Sequence, residues 1–175
     1  MAKLKAIVTG GAGFVGSHLV DRLIEEGFEV VVIDDLSQGK RENINPKATF
    51  YEMDLRSSEL DDVFKLERPD IVDHQAAQIQ VPVSMRMPRF DAEVNILGSL
   101  NLLECCCKYD VVKFVFASTG GAIYGDPLYM PCDESHQEQP LSPYGLAKLT
   151  VEKYLSFYHQ AFGLSYVSLR PANIY

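Results

Sequence analysis

The chain has 175 residues, a hydrophobic share of 47% and a formal net charge of -8 at pH 7. Its 16 Lys and Arg residues are scattered, so the sequence predicts no basic patch for nucleic acid. No apolar run approaches the roughly 20 residues of a membrane span, and Gly10 and Gly11 interrupt the first run before it could serve as a signal-peptide core. We therefore expect a cytoplasmic domain that contacts neither membrane nor nucleic acid.

Short apolar runs alternate with amphipathic stretches along the whole chain. Several of the runs are rich in β-branched residues, as expected of strands that are covered on both faces. The predicted strands are 5–9, 29–34, 49–52, 71–74, 112–117 and 165–170. The predicted helices are one from Gly13 to Gly27, then 57–65, 90–108 and 143–162. This order predicts a doubly wound α/β fold, a parallel sheet with helices on both faces, as one Rossmann domain over residues 1–175.

A glycine-rich segment follows the first predicted strand and opens the first predicted helix. Residues 9–16 read TGGAGFVG. Gly10 or Gly11 permits a tight turn, Gly13 lets backbone approach a pyrophosphate, and Gly16 lets the helix pack closely on the sheet. The helix N-terminus stabilises the charge of a phosphate. The segment therefore predicts dinucleotide binding.

Asp34 ends the second predicted strand, where its carboxylate can accept hydrogen bonds from the adenosine ribose and would repel a 2′-phosphate. This position favours NAD over NADP. The same side chain could instead cap the following turn, and so could Asp35. Lys40 and Arg41 keep NADP open as an alternative.

Tyr144 and Lys148 lie four residues apart near the start of a predicted helix, so their side chains share a face. A neighbouring ammonium stabilises a phenolate, which suits the pair to taking a proton. Ser118 and Thr119 follow a predicted strand, at the sheet edge where α/β folds bind ligands. Taken singly, these features also fit a surface pair and a turn or cap.

Together these motifs resemble the extended short-chain dehydrogenase/reductases over essentially the whole chain. The family pattern Thr-Gly-x-x-Gly-x-x-Gly matches residues 9–16, and Tyr-x-x-x-Lys matches Tyr144 and Lys148. Asp54 and Leu55 match the family's adenine contact, and Asn95 and Gly98 match its Asn-x-x-Gly element. The resemblance implies that NAD is held by Gly10, Gly13, Phe14, Val15, Gly16, Asp34, Asp35, Ser37, Gly39, Asp54, Leu55, Gln75, Ala76, Ala77, Asn95, Tyr144, Lys148 and Ala172.

Within that family the chain most resembles the UDP-hexose 4-epimerases, through residues 76–78, Ser84 with Pro88, 118–125 and 170–175. The resemblance implies interconversion of UDP-glucose and UDP-galactose through a transient 4-keto intermediate. Tyr144 would act as base and then acid, while Lys148 holds the nicotinamide ribose and lowers the tyrosine pKa. Thr119, or alternatively Ser118, would bond the reacting oxygen. The implied substrate contacts are Ser84, Thr119, Tyr144 and Asn173.

Related activities remain as alternatives. Dehydratases and decarboxylases of this kind carry acidic residues just after the active-site hydroxyl, where this chain has Gly120, Gly121 and Ala122. Gln75 also departs from many relatives, which carry an aromatic or small residue there. A non-catalytic NAD-binding module is the alternative from a different class of function.

The resemblance further implies a substrate-binding half beyond Tyr175 and a homodimer formed through helices 90–108 and 143–162. We expect residues 1–175 alone to be inactive as an epimerase. Cys105, Cys106 and Cys107 are consecutive on a predicted helix and project about 100° apart, so no metal site is expected.

Overall fold

The computed structural model describes residues 3–172 and 174, and within them a single parallel sheet forms the centre of the molecule. Its strand order is β3-β2-β1-β4-β5-β6. The strands are β1 (Lys5–Thr9), β2 (Glu29–Asp34), β3 (Thr49–Glu52), β4 (Ile71–His74), β5 (Lys113–Ala117) and β6 (Ser165–Leu169). The chain winds outward in one direction from β1 and then in the other from β4. The predicted doubly wound fold is confirmed, and its switch point lies between β1 and β4.

The helices cover both faces of this sheet, as predicted. They are α1 (Phe14–Glu25), α2 (Leu60–Glu67), α3 (Val81–Arg86), α4 (Pro88–Ala92), α5 (Gly98–Lys108), α6 (Gly120–Ile123) and α7 (Pro143–Phe162). A π-helical turn, Glu93–Leu97, joins α4 to α5. None of the described helices is long and apolar enough to cross a membrane.

The sequence prediction differs from the structure mainly in the short elements. α3 and α6 were not predicted, because six and four residues are too few to show a helical period and α6 begins with two glycines. The predicted helix 90–108 is interrupted by the π turn. β5 begins one residue later and β6 ends one residue earlier than predicted, which is the usual uncertainty of strand ends.

Two apolar clusters pack on opposite faces of the sheet. On one face, Ile7 and Phe114 join Phe64 of α2, Leu102 of α5 and Leu155 of α7 in a fully buried core. On the other face, the neighbouring strand residues Val8 and Val32 pack against Val20 of α1. The alternation of Ile7 and Val8 along β1 follows from the two-residue repeat of a strand. The two clusters fix the strand ends that carry the polar residues described below.

A buried chain of hydrogen bonds crosses the carboxyl end of the sheet. The Ser99 hydroxyl donates to the Asn95 carbonyl in the π turn at 2.6 Å, so it accepts from Nε2 of His74 at 2.9 Å. Nδ1 of His74 therefore accepts from the Thr9 hydroxyl at 2.7 Å. Burial, with a smaller contribution from the charge of Lys148, lowers the pKa of His74 to about 3. His74 is thus a neutral side chain of β4 that is hydrogen-bonded to both β1 and α5.

Candidate active site

A cavity of about 800 Å³ opens at the carboxyl edge of the sheet, over the switch point. This volume is within the range of small-molecule and cofactor sites. Most of the residues singled out from the sequence lie on its wall. They are Gly10, Gly13, Phe14, Val15, Gly16, Asp34, Asp35, Ser37, Gly39, Asp54, Leu55, Gln75, Ala76, Ala77, Ser118, Thr119, Tyr144, Lys148 and Ala172.

Two of the predicted site residues, Asn95 and Ser84, do not line this cavity. Asn95 lies behind the wall, where its carboxamide accepts from the Gln78 amide at 2.8 Å and donates to the Gln78 carbonyl at 2.9 Å. Ser84 is fully buried in α3, and its hydroxyl donates to the Val81 carbonyl at 2.8 Å. Asn173 falls outside the described residues.

The glycine turn after β1 is built from close backbone contacts. Gly10 has φ +71°, which resolves the choice between Gly10 and Gly11 for the tight turn, and a β-carbon there would lie 2.7 Å from the Ala76 nitrogen. At Gly16 a β-carbon would lie 2.2 Å from the Gly10 carbonyl oxygen. α1 therefore packs directly on the turn, with the start of the helix on the cavity wall. Amide groups of a first helical turn have no partner within the helix and suit a phosphate.

Asp34 anchors this turn to the end of β2. It is 7% exposed, and its two oxygens accept from the amides of Ala12 at 3.0 Å and Leu36 at 2.8 Å. The capping interpretation of Asp34 is therefore correct, and it is compatible with ribose binding because each carboxylate oxygen has a second lone pair. Asp35 caps the next turn separately, accepting from both the amide and the hydroxyl of Ser37.

An ion pair that the sequence motifs did not reveal borders the cavity just beyond β3, the strand next to the one that ends at Asp34. The Arg56 guanidinium donates to both oxygens of Asp54 and holds the pKa of that carboxyl below its usual value. The guanidinium carbon also lies 5.9 Å from the centre of the Phe90 ring. Both Arg56 and Phe90 line the cavity, and neither follows a motif spacing that could have indicated it.

Tyr144 and Lys148 meet at the start of α7, as their spacing predicts. Ser142 caps the helix by accepting from the Gly145 amide at 3.1 Å. Lys148 is 3% exposed, and its ammonium donates to the Ala117 carbonyl at 2.7 Å. The ammonium nitrogen lies 6.0 Å from the centre of the Tyr144 ring. Burial lowers the pKa of Lys148 to about 8.

The expected lowering of the Tyr144 pKa is wrong for the structure as described. Burial of the phenol raises the pKa of Tyr144, and the negative charge of Asp91 raises it further. Burial disfavours the charged form of a phenol, and this effect was not visible in the Tyr-x-x-x-Lys spacing.

The two candidate hydroxyls differ in whether they already have a hydrogen-bond partner. The Ser118 hydroxyl donates to Glu152, which also receives the guanidinium of Arg170. Thr119 is extended and precedes α6, and its hydroxyl has no hydrogen-bond partner among the described residues. Of the two, Thr119 is the hydroxyl that is available to a ligand.

The fold and the site together define a doubly wound dinucleotide-binding domain with a Tyr–Lys pair at the sheet edge. A family model described as "NAD dependent epimerase/dehydratase family" matches residues 6–175, and the chain belongs to this family. Among residues 3–172, no group of three or more His, Cys, Asp or Glu side chains is placed to hold a metal ion.

Relatives of known name match nearly the whole of this chain with about half of their own length. A putative UDP-glucose 4-epimerase of Methanocaldococcus jannaschii is 49% identical over 97% of this chain and 55% of its own length. The UDP-glucose 4-epimerase of Thermotoga maritima, solved with UDP-glucose, is 51% identical with a TM-score of 0.96, covering 98% of this chain and 56% of that one. The enzyme of Thermus thermophilus, solved with NAD, is 51% identical with a TM-score of 0.93, covering 95% and 54%. The chain thus spans about half the length of these relatives.

We expect Gly16→Ala to destabilise the protein, because its β-carbon would overlap the Gly10 carbonyl. Overpacking of this kind costs about 1–3 kcal/mol. Gly121→Ala is the matched control, because a β-carbon there meets no atom within 4 Å and alanine favours the helix by up to about 1 kcal/mol. Urea unfolding measures both. Equal stability of the two variants would contradict the close-packed turn.

Proposed function

We propose that the chain binds NAD and forms the cofactor-binding half of an enzyme that inverts C4 of a UDP-hexose, interconverting UDP-glucose and UDP-galactose. The observation that carries the proposal is the convergence of Tyr144, Lys148 and Thr119 in the cavity that the glycine turn and Asp34 also line. The named relatives support the same substrate class, since they are UDP-glucose 4-epimerases.

The residues present fit a dinucleotide without a 2′-phosphate. The first turn of α1 offers backbone amides to a pyrophosphate, and Asp34 offers carboxylate lone pairs to the adenosine ribose. Lys40 and Arg41, the cations that kept NADP open, do not line the cavity and instead pair with Glu42 and Glu52. NAD, when bound, supplies the acceptor and donor of the hydride. The negative charge of Asp34 at the ribose end of the cavity thus favours NAD over NADP.

The protein's own contribution to C4 chemistry is the handling of a proton. In this proposal Tyr144 takes the proton of the sugar 4-hydroxyl as a 4-keto sugar forms and returns it when the hydride comes back to the opposite face. Thr119 holds the reacting oxygen, and Lys148 supplies the positive charge that the buried phenol needs to ionise. With a pKa of about 8, Lys148 carries this charge at pH 7 and loses it as the pH rises above that value.

The residues of the cavity wall next to Thr119 give less support to dehydration or decarboxylation. Such reactions need a further acid or base next to the reacting hydroxyl. After Thr119 the cavity is lined by Gly121 and Ala122, which carry no titratable group. No specific observation favours a non-catalytic role. Burying a lysine ammonium lowers the stability of the fold, and a purely structural domain gains nothing from that loss.

We propose that two copies of the protein pair through residues 90–108, which include the π turn and α5, and through α7. Leu97 is 56% exposed and Tyr154 38%, whereas Leu100 is partly buried against the core beneath it. Leu146 and Phe157 add to the exposed apolar side chains on α7. Light scattering at tens of micromolar protein should give the mass of a dimer, and a strictly monomeric mass would contradict the pairing.

We expect tighter binding of NAD than of NADP by calorimetric titration, and a smaller preference in Asp34→Asn. A hydrogen bond to a charged group contributes about 1.5–3 kcal/mol, so NAD affinity should fall by about tenfold to a hundredfold. Glu52→Gln is the control, because that carboxylate pairs with Arg41 and does not line the cavity. The ratio of the two affinities is the decisive readout, since a loosened turn would weaken both nucleotides alike. Equal or tighter binding of NADP to the unaltered protein would overturn the assignment.

We expect Tyr144→Phe to reduce epimerisation of UDP-galactose by about 10²- to 10⁴-fold while NAD remains bound, because general-base catalysis contributes about this factor. The coupled assay is made on a form that carries the second half found in the relatives. Lys148→Met should impair both NAD affinity and rate. Tyr154→Phe, an exposed tyrosine of the same helix, is the control and should remain active. More than a tenth of the activity retained in Tyr144→Phe would refute the role of Tyr144.

A further inference from the structure

Asp91 of α4 is a fully buried carboxylate directly behind the cavity wall. Its Oδ1 accepts from the carboxamides of Gln78 at 2.8 Å and Asn95 at 3.1 Å. Its Oδ2 is buried and has no hydrogen-bond partner in the described part of the chain. A buried carboxylate with an unpartnered oxygen is costly unless a positive charge compensates it. The surroundings of Asp91 should therefore contain that charge.

A buried positive charge, the Lys148 ammonium, lies on the neighbouring helix and interacts with Asp91 through space, without a direct ion pair among the described residues. α4 packs against α7, which carries Tyr144 and Lys148. The Lys148 ammonium has three donors, and the Ala117 carbonyl takes one of them. The charge of Asp91 acts on both groups, raising the pKa of Lys148 against the effect of burial and raising the pKa of Tyr144. Besides burial, the charge of Lys148 also lowers the pKa of His74 of β4. His74 is neutral because this pKa is about 3.

We propose that Asp91 is a positioning residue that acts through Lys148. Its carboxylate is the buried counter-charge that keeps the Lys148 ammonium protonated at neutral pH, and its contact with Gln78 ties this charge to the loop 75–80 of the cavity wall. The assignment rests on the proposed role of Lys148, although the titration of the ammonium can be followed without any reaction.

Burial and the charge of Asp91 shift the pKa of Lys148 in opposite directions. Burial alone drives a lysine towards the neutral amine, and Asp91 opposes it. Removal of the negative charge should lower the pKa of Lys148 and that of Tyr144 together. A purely structural role predicts the reverse for the lysine, because a loosened wall admits water and returns the pKa of Lys148 towards its ordinary 10.5.

The test is the titration of Lys148 in Asp91→Asn, followed by NMR of ¹³C-labelled lysine with the signal assigned by its loss in Lys148→Met. Asparagine keeps an acceptor for Gln78 and Asn95, removes the charge and puts an NH2 group in place of the unpartnered Oδ2. We expect the midpoint to fall by at least about one pH unit, a roughly tenfold weaker proton affinity. The Tyr144 phenolate absorbance, assigned with Tyr144→Phe, should also appear at lower pH.

Asn95→Ala is the matched control, because it removes a hydrogen bond to Asp91 and releases Gln78 but keeps the charge. Its Lys148 midpoint should not fall. Asp91→Ser is the second neutral variant, and it should lower the midpoint as well if Asp91→Asn does not fold. An unchanged or raised midpoint in the neutral variants overturns the proposal. Failure of the proposed epimerase activity would be recorded separately, as no turnover of UDP-galactose by the form that carries the second half found in the relatives.

Discussion

The contact between α1 and the turn that follows β1 leaves no space for a side chain at Gly16, where a β-carbon would lie 2.2 Å from the Gly10 carbonyl. Asp34 holds the same turn from the side through the Ala12 amide. Because of these contacts, the start of α1 and the end of β2 face one cavity at the switch point of the sheet. The other groups of the cavity wall are arranged around this fixed contact between α1 and the turn.

The opposite end of the cavity is built by burying polar groups, which proteins tolerate only when those groups are paired. The Lys148 ammonium bonds to the end of β5, and Asp91 supplies a negative charge from α4. His74 stays neutral and joins β1 to α5. Stability is lost in this way at the place where the proposed reaction holds and releases a proton. The same burial explains why the pKa of Tyr144 is raised before any ligand contributes to it.

Much of the fold followed from the sequence because the strands are short, buried and rich in β-branched residues, as at 29–34. The glycine turn and the Tyr–Lys pair were equally visible, since their spacing is local. The π turn Glu93–Leu97 was not, because it accompanies tertiary contacts such as the bonds of Asn95 to Gln78. The choice between Ser118 and Thr119 was also undecidable from spacing. It depends on Glu152, which lies 34 positions further along the chain than Ser118.

A crystal structure of the protein with NAD tests the central claim, that one cavity holds the whole cofactor and presents it to Tyr144. The account predicts the pyrophosphate at the first turn of α1, the adenosine ribose at Asp34, and the nicotinamide ring beside Tyr144 and Thr119 with Ser118 still bound to Glu152. A nicotinamide ring placed instead at Asp54 and Arg56, or a cofactor outside this cavity, would contradict it.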